Sequence, residues 1–352
     1  MTRLITFLLL LDTVFSASGA FSEVPESCAG EDIHIGRSLL AVRTSSKIAD
    51  DILTFTMLPG SLQNLGISLF GSEAKVVEFL NNTKVVPVTY SEVDMRLAMT
   101  KDDDAAVRFG GDGENGEEYG LDSLLSVEND VEAAFEKRRD EGTGMINMID
   151  MGGNLGVITI AVFKRYPGIV RCVAVEPVPT TYFYMELNFW LNNVPKLITG
   201  TKSPQAGVMG IQKAISPDAN FNLQFCLPGN SCSMNAHIVT DDWPCNTPAT
   251  GGTDTVSTVT SITIDSIFEV FGNEDITFVK MDCEACEHDA LPAMEKYKTR
   301  VRRLGGEMHM MPPETFQYVC AYNQGRYLTG MCEKPGRPPA RYNGVELCEI
   351  CK

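Results

Sequence analysis

Asp150-Met-Gly152-Gly153-Asn154-Leu-Gly156 is the densest group of chemically suggestive residues in the chain. An apolar run, Met145 to Asp150, leads into it, and Val157 to Arg165 follows with helical character. The glycines therefore fall at a strand-to-helix turn. Glycines there let the backbone pass close to a ligand, and N–H groups at a helix start face it. Asp150 closes the strand just before the first glycine, where its carboxylate can meet the cationic end of a ligand. A second apolar strand, Val170 to Glu176, ends in an acid placed to accept both hydroxyls of a ribose. That pairing serves a dinucleotide or S-adenosylmethionine equally, so the βαβ unit alone leaves both readings open.

Other strand ends carry further candidates. The run Ile276 to Asp282 brings Lys280 and Asp282 to alternate positions, where they can pair, and Glu284 follows. The run Val301 to Met310 holds Glu307 and His309, two residues apart and so on one face of a regular strand. His309 is one of only four histidines, and an ordinary imidazole titrates near neutrality. Open α/β sheets bind ligands beyond the carboxyl ends of their strands, which makes Asp282, Glu284 and His309 the candidates for proton transfer. Two Cys-x-x-Cys pairs, Cys283/Cys286 and Cys348/Cys351, could together offer zinc four thiolates. The segment between them is far longer than the roughly 15–20 residues usual for such a site. No metal is expected, and disulfides or buried thiols are the better reading.

These residues need a scaffold, and the chain outlines one. Helical spacing covers Thr180 to Asn193, with Phe183, Leu187, Trp190 and Leu191 forming a core stripe, and Glu287 to Tyr297. Strand-like runs recur at Val208 to Ile215, Phe221 to Leu227 and Val256 to Ile264. Strands alternating with helices predict an α/β fold, a mainly parallel, doubly wound sheet. Ahead of it, residues 21–140 form an N-terminal extension of undecided fold. It ends in an acidic glycine-rich loop, with seven acids and five glycines between Lys101 and Gly120. Residues 313–352 form a tail rich in cysteine and proline, which disulfides would pin.

The order of motifs is more specific than any single one. DMGGNLG, VAVEPVPTTYFYMELNFWLNN, ITIDSI, ITFVKMDCEACEHDAL and GGEMHM together resemble the FkbM family of S-adenosylmethionine-dependent methyltransferases. The resemblance covers residues 141–312. It implies a Rossmann-like class I methyltransferase fold with S-adenosylmethionine held by Asp150, Gly152, Gly153, Asn154, Gly156 and Glu176. Family positions also fall on Pro177, Asn188, Asn192, Lys280, Asp282, Glu284 and Glu287. Gly153 replaces the family's alanine and Ala285 its glycine. Pro217 stands where an adenine-contacting acid is usual, leaving Asp218 as the substitute. The acceptors that the family implies are hydroxyls of sugars, lipids and other small molecules. Two other classes stay in view: a non-catalytic secreted binding protein on this scaffold, and a nicotinamide-dependent oxidoreductase.

The compartment is suggested by the ends of the chain. Arg3, the apolar run Leu4 to Leu11 and the small residues Ser16 to Ala20 have the order of a secretory signal peptide, residues 1–20. All 11 cysteines lie beyond it, and Asn81-Asn82-Thr83 is an N-glycosylation sequon. The secretory-pathway lumen or the cell exterior is therefore expected, with no membrane span after cleavage. In the 352-residue chain, a formal charge of −17 argues against nucleic acid as a partner, because phosphate binding needs an excess of Lys and Arg.

Overall fold

A computed structural model describes residues 53–90, 93–101, 144–198, 205–227, 236–239, 244–250, 254–284, 286–302, 304–306, 341–342 and 345–346. The expected leader, most of the acidic loop, Ala285, Glu307, His309 and nearly all of the C-terminal segment lie outside the described residues.

Five parallel strands form the sheet on which everything else depends: β3 (Ile146–Met151), β4 (Val170–Val175), β5 (Gly207–Ile211), β10 (Phe278–Met281) and β11 (Leu304–Gly306). Their order is β11-β10-β3-β4-β5. Winding from β3 proceeds first towards β5 and then jumps back to β10, so the strand order reverses between β3 and β10. Ligands of open α/β sheets sit at such a switch point. The strands are mostly apolar because both faces are covered, with Asn147, Asp150, Arg171 and Lys280 the buried polar exceptions on β3, β4 and β10. Ile146, Met148, Cys172, Ala174 and Phe278 pack on α3 (Val157–Arg165) and α4 (Pro179–Leu191). Ile149, Met151, Val173, Val175, Val279 and Met281 pack on α5 (Ile264–Glu269) and α6 (Glu287–Met294). Pro179 opens α4, where its missing N–H costs nothing.

Residues 53–101, whose fold the sequence left undecided, form two helices and a ribbon. The helices are α1 (Gly60–Phe70) and α2 (Glu73–Asn81), and the ribbon pairs β1 (Thr83–Tyr90) with β2 (Val93–Thr100). Gly71 ends α1 at φ 88°, and Ser72 caps α2 by accepting the Lys75 N–H. Phe70, Phe79 and Phe183 meet with ring centroids 4.7 to 5.3 Å apart, which joins this module to α4 in a shared core. Asn188 and Asn192, one helical turn apart on α4, bind the outer edge of β2. Asn188 accepts the Ala98 N–H at 2.6 Å and donates to the Ala98 carbonyl at 3.2 Å. Asn192 accepts the Arg96 N–H at 3.0 Å and donates to the Arg96 carbonyl at 2.7 Å.

Three expectations change. The run 208–215 is two strands: β5 stays in the parallel sheet, while β6 (Ala214–Ile215) leaves it to pair with β9 (Thr255–Ile262). Gln212 and Lys213 interrupt the apolar run, and Lys213 is tied at 3.1 Å to Asn220. Next, β7 (Asn222–Leu227) runs antiparallel to β9 and to β8 (His237–Ile238), building a separate four-stranded sheet. A parallel return requires a crossover of a dozen or more residues, usually helical. Between β7 and β9 the only helical piece among the described residues is the turn Pro248–Thr250. Thr263 then caps α5, so the helix begins where the strand 256–264 was expected to finish.

Candidate functional site

The parallel register places Asp150 beside Lys280 on neighbouring strands. Both are buried, and both point to the face covered by α3. Thr159, in the first turns of α3, donates to Asp150 Oδ2 at 2.7 Å. Asp150 Oδ1 is buried without a hydrogen bond and faces the Lys280 ammonium at 3.4 Å. Lys280 also lies 3.7 Å from Asp282 Oδ2 and donates to the Gly152 carbonyl at 2.5 Å. Burial alone would favour loss of its proton. Asp150 and Asp282, with Glu176 behind them, instead hold its pKa above the ordinary 10.5. Lys280 is therefore a permanent cation that binds the glycine turn to the end of β10.

Glu176 follows β4 and is also buried. Its Oε2 accepts the Asn154 N–H and its Oε1 the Val178 N–H, each at 2.9 Å. Each oxygen keeps a second lone pair, which suits it to two hydroxyl donors. Burial pushes its pKa from the ordinary 4.5 to about 7, and the nearby Asp150 charge adds to that rise. The two backbone N–H groups and Lys280 restrain it.

Gly152 and Gly156 are required by protein contacts and positive φ, whereas at Gly153 only a flexible side chain would have to move. Gly152, at φ 79°, lies so close to the chain after β10 that a Cβ would overlap the Asp282 carbonyl. A Cβ on Gly153 would come to 2.6 Å from Met185 Sδ, and one on Gly156, at φ 80°, to 2.7 Å from the Phe189 ring. Within the turn itself the amides are engaged. Gly152 and Gly153 both donate to the Val175 carbonyl, Gly156 donates to Gly153, and Asn154 donates to Glu176.

Beyond β10, Asp282 donates its N–H to Met151 at 3.0 Å, and Glu284 sits at φ 54°, partly exposed. The buried Glu287 accepts the Cys283 N–H at 3.0 Å, bracing this loop from the first turn of α6. Cys283 and Cys286 are joined by a disulfide, and so are Cys226 and Cys245. The structure thus brings together Asp150, Gly152, Gly153, Asn154, Gly156, Glu176, Lys280 and Asp282, with Glu284 in the same loop as Asp282. Asp218 lies exposed in the turn after β6, and its carbonyl accepts from Ser261 Oγ. Thr159 is a site residue that sequence reasoning missed. Nothing local marks it, since its role follows from the way α3 packs over β3. Asn188 belongs here too, because it donates to the Leu155 carbonyl within the glycine turn at 2.9 Å.

A five-stranded parallel sheet, a glycine turn at its switch point and a buried acid after the next strand define a Rossmann-like fold. Residues 150–324 match the methyltransferase FkbM domain, so the chain carries a methyltransferase domain of the FkbM family. Searches among curated proteins and among solved structures returned no match.

Proposed function

We propose that this protein transfers a methyl group from S-adenosylmethionine to a hydroxyl of a glycan, glycolipid or other small molecule. We place the reaction in the lumen of the secretory pathway or outside the cell. The observation that carries the cofactor assignment is the charge and hydrogen-bond balance around the glycine turn. Asp150 and Asp282, with a Glu176 that ionises near pH 7, outnumber the one ammonium of Lys280, while the amides of Gly152, Gly153, Asn154 and Gly156 are already engaged. A dinucleotide needs such amides for its anionic pyrophosphate, and an acidic surround repels it. A ligand with a cationic sulfonium and an ammonium fits the same surround.

When bound, S-adenosylmethionine supplies an electrophilic methyl on a positively charged sulfur. The ionised Glu176 would accept the two ribose hydroxyls. Asp150 and Asp282, held in place by Thr159 and Lys280, provide the negative field for the amino-acid end. Methyl transfer is an in-line displacement, so the rate depends on alignment of the acceptor. An attacking hydroxyl must also lose its proton to a base. Glu284, raised from the loop after β10 and partly exposed, is the described residue best placed to receive it, with Asp282 as its neighbour. Calorimetric titration with S-adenosylhomocysteine, NAD and the variant Glu176→Ala tests the assignment. Micromolar binding of S-adenosylhomocysteine, lost in the variant and absent for NAD, is the expected result. Folded protein that binds neither nucleotide overturns it.

A further inference from the structure

The Cys283–Cys286 disulfide lies in the loop that carries Asp282 and Glu284, and methyl transfer does not itself use it. The two Cα atoms are 5.4 Å apart, and the bond closes a four-residue ring between the end of β10 and the start of α6. Cys283 directly follows Asp282, and its Cα is the third nearest atom to where a Gly152 Cβ would stand, at 3.0 Å. Its N–H is fixed by Glu287. Cys286 directly precedes α6 and is buried in the core under the sheet. Inside the ring Glu284 holds a left-handed backbone, φ 54°. A residue with a β-carbon stays there only when its surroundings impose it. One end of the ring is thus anchored in the core, and the other is pressed against the glycine turn.

We propose that the Cys283–Cys286 disulfide is a redox-sensitive clamp on the cofactor site. Oxidised, it holds Asp282 against the glycine turn and fixes Glu284 in the same loop; reduced, it releases that loop and cofactor affinity falls. The inference rests on the function proposed above. Cys283 is partly exposed and Cys286 buried, so an external thiolate reaches Cys283. A dithiol thiolate attacks Cys283 Sγ, the Cys283–Cys286 bond breaks, and Cys286 leaves as a thiolate. The second thiol of the reductant then displaces Cys283 from the mixed disulfide. Two electrons and two protons pass to the protein, which ends with two thiols, and the reductant ends as a disulfide. The ordering that binding demands of a loosened loop appears as lost affinity. Cys283 and Cys286 are accordingly positioning residues, acting through Asp282 and Glu284.

The test titrates S-adenosylhomocysteine into protein poised along a series of oxidised and reduced dithiothreitol. Alkylation and mass spectrometry report the free cysteines, and circular dichroism reports the fold. Affinity should fall about tenfold on reduction, with the same midpoint as alkylation of Cys283 and Cys286. The double variant Cys283→Ser/Cys286→Ser should bind weakly at every poise. Cys226→Ser/Cys245→Ser, which opens the bond on the separate four-stranded sheet, should keep the full redox response. Affinity changing by less than about twofold between the two states overturns the clamp. So does alkylation of Cys283 and Cys286 in the oxidised protein, or loss of the whole fold on reduction. If the oxidised wild type binds no S-adenosylhomocysteine, the cofactor reading fails, and amide hydrogen exchange at residues 283–287 decides the clamp alone. Faster exchange on reduction supports it and unchanged exchange overturns it.

Discussion

Replacing Glu176 by glutamine should make the empty protein less sensitive to pH while weakening its hold on the cofactor. The carboxyl is buried, and its pKa stands at about 7 in place of the ordinary 4.5. Below pH 4.5 the folded and unfolded chains both carry the proton, and the stability tied to this group is fully present. Between pH 4.5 and about 7 the unfolded chain ionises first, so that stability drains away as pH rises. Above about 7 both states are ionised and the loss is complete. A rise of this size corresponds to about 3 kcal/mol, at about 1.4 kcal/mol per pH unit. Glu176→Gln has no such titration; its amide oxygen still accepts one of the Asn154 and Val178 N–H groups while its NH2 cannot accept the other, and that lost bond shifts its stability by a constant. Urea unfolding of both proteins from about pH 4.5 to about pH 8 isolates the group, because every other carboxylate cancels in the difference. The wild type should lose about 3 kcal/mol relative to the variant across that span. Parallel curves, or a wild type that gains on the variant as pH rises, would refute the reasoning. In calorimetry near pH 6.5, cofactor binding should expel a proton from wild-type Glu176 and none from the variant.

Four further outcomes are expected. Lys280→Met strands Asp150 and Asp282 without their shared cation and should cost about 3–5 kcal/mol by urea unfolding. A loss below about 1 kcal/mol would show that Lys280 does not hold the turn. Gly152→Ala combines a positive φ with overlap on the Asp282 carbonyl, and should cost more than about 2 kcal/mol in the same measurement. Asn188→Ala leaves the amide of Ala98 and the carbonyl of Leu155 unpaired in the core. It should destabilise by about 2–4 kcal/mol, with the Leu155 amide region exchanging faster with deuterium. A eukaryotically secreted protein should carry a glycan on Asn81, which is exposed at the end of α2. Glycosidase treatment and Asn81→Gln should each remove it, and an unglycosylated secreted protein would count against that acceptor site.

The skeleton of the candidate site could be read from sequence because it is local. Asp150, the glycines and Glu176 lie at abrupt changes from strand to turn, and Lys280 and Asp282 alternate along one apolar run. What escaped notice depends on residues far apart in the chain. The turn needs glycine because Met185, Phe189 and the Asp282 carbonyl crowd it, and none of these is a sequence neighbour. Thr159 looks like any helix residue until α3 is laid across β3. The strand-like runs 221–227 and 256–264 have the composition of parallel strands. The structure pairs them antiparallel, and among the described residues between them the only helical piece is the turn Pro248–Thr250. The family's paired asparagines on α4 were legible as a motif, but their purpose depends on a ribbon some ninety residues earlier.

That pairing has a consequence for how the molecule avoids its own kind. Four residues of helix advance about 6 Å, and two residues of strand advance about 6.6 Å, so Asn188 and Asn192 match the spacing of Ala98 and Arg96 along β2. Two side-chain amides therefore imitate the neighbouring strand that β2 lacks. Exposed strand edges invite pairing with other chains and are a common origin of aggregation. Here the donors and acceptors that another chain would seek are occupied from within. Removing both asparagines should reveal a sticky ribbon as well as a weakened core.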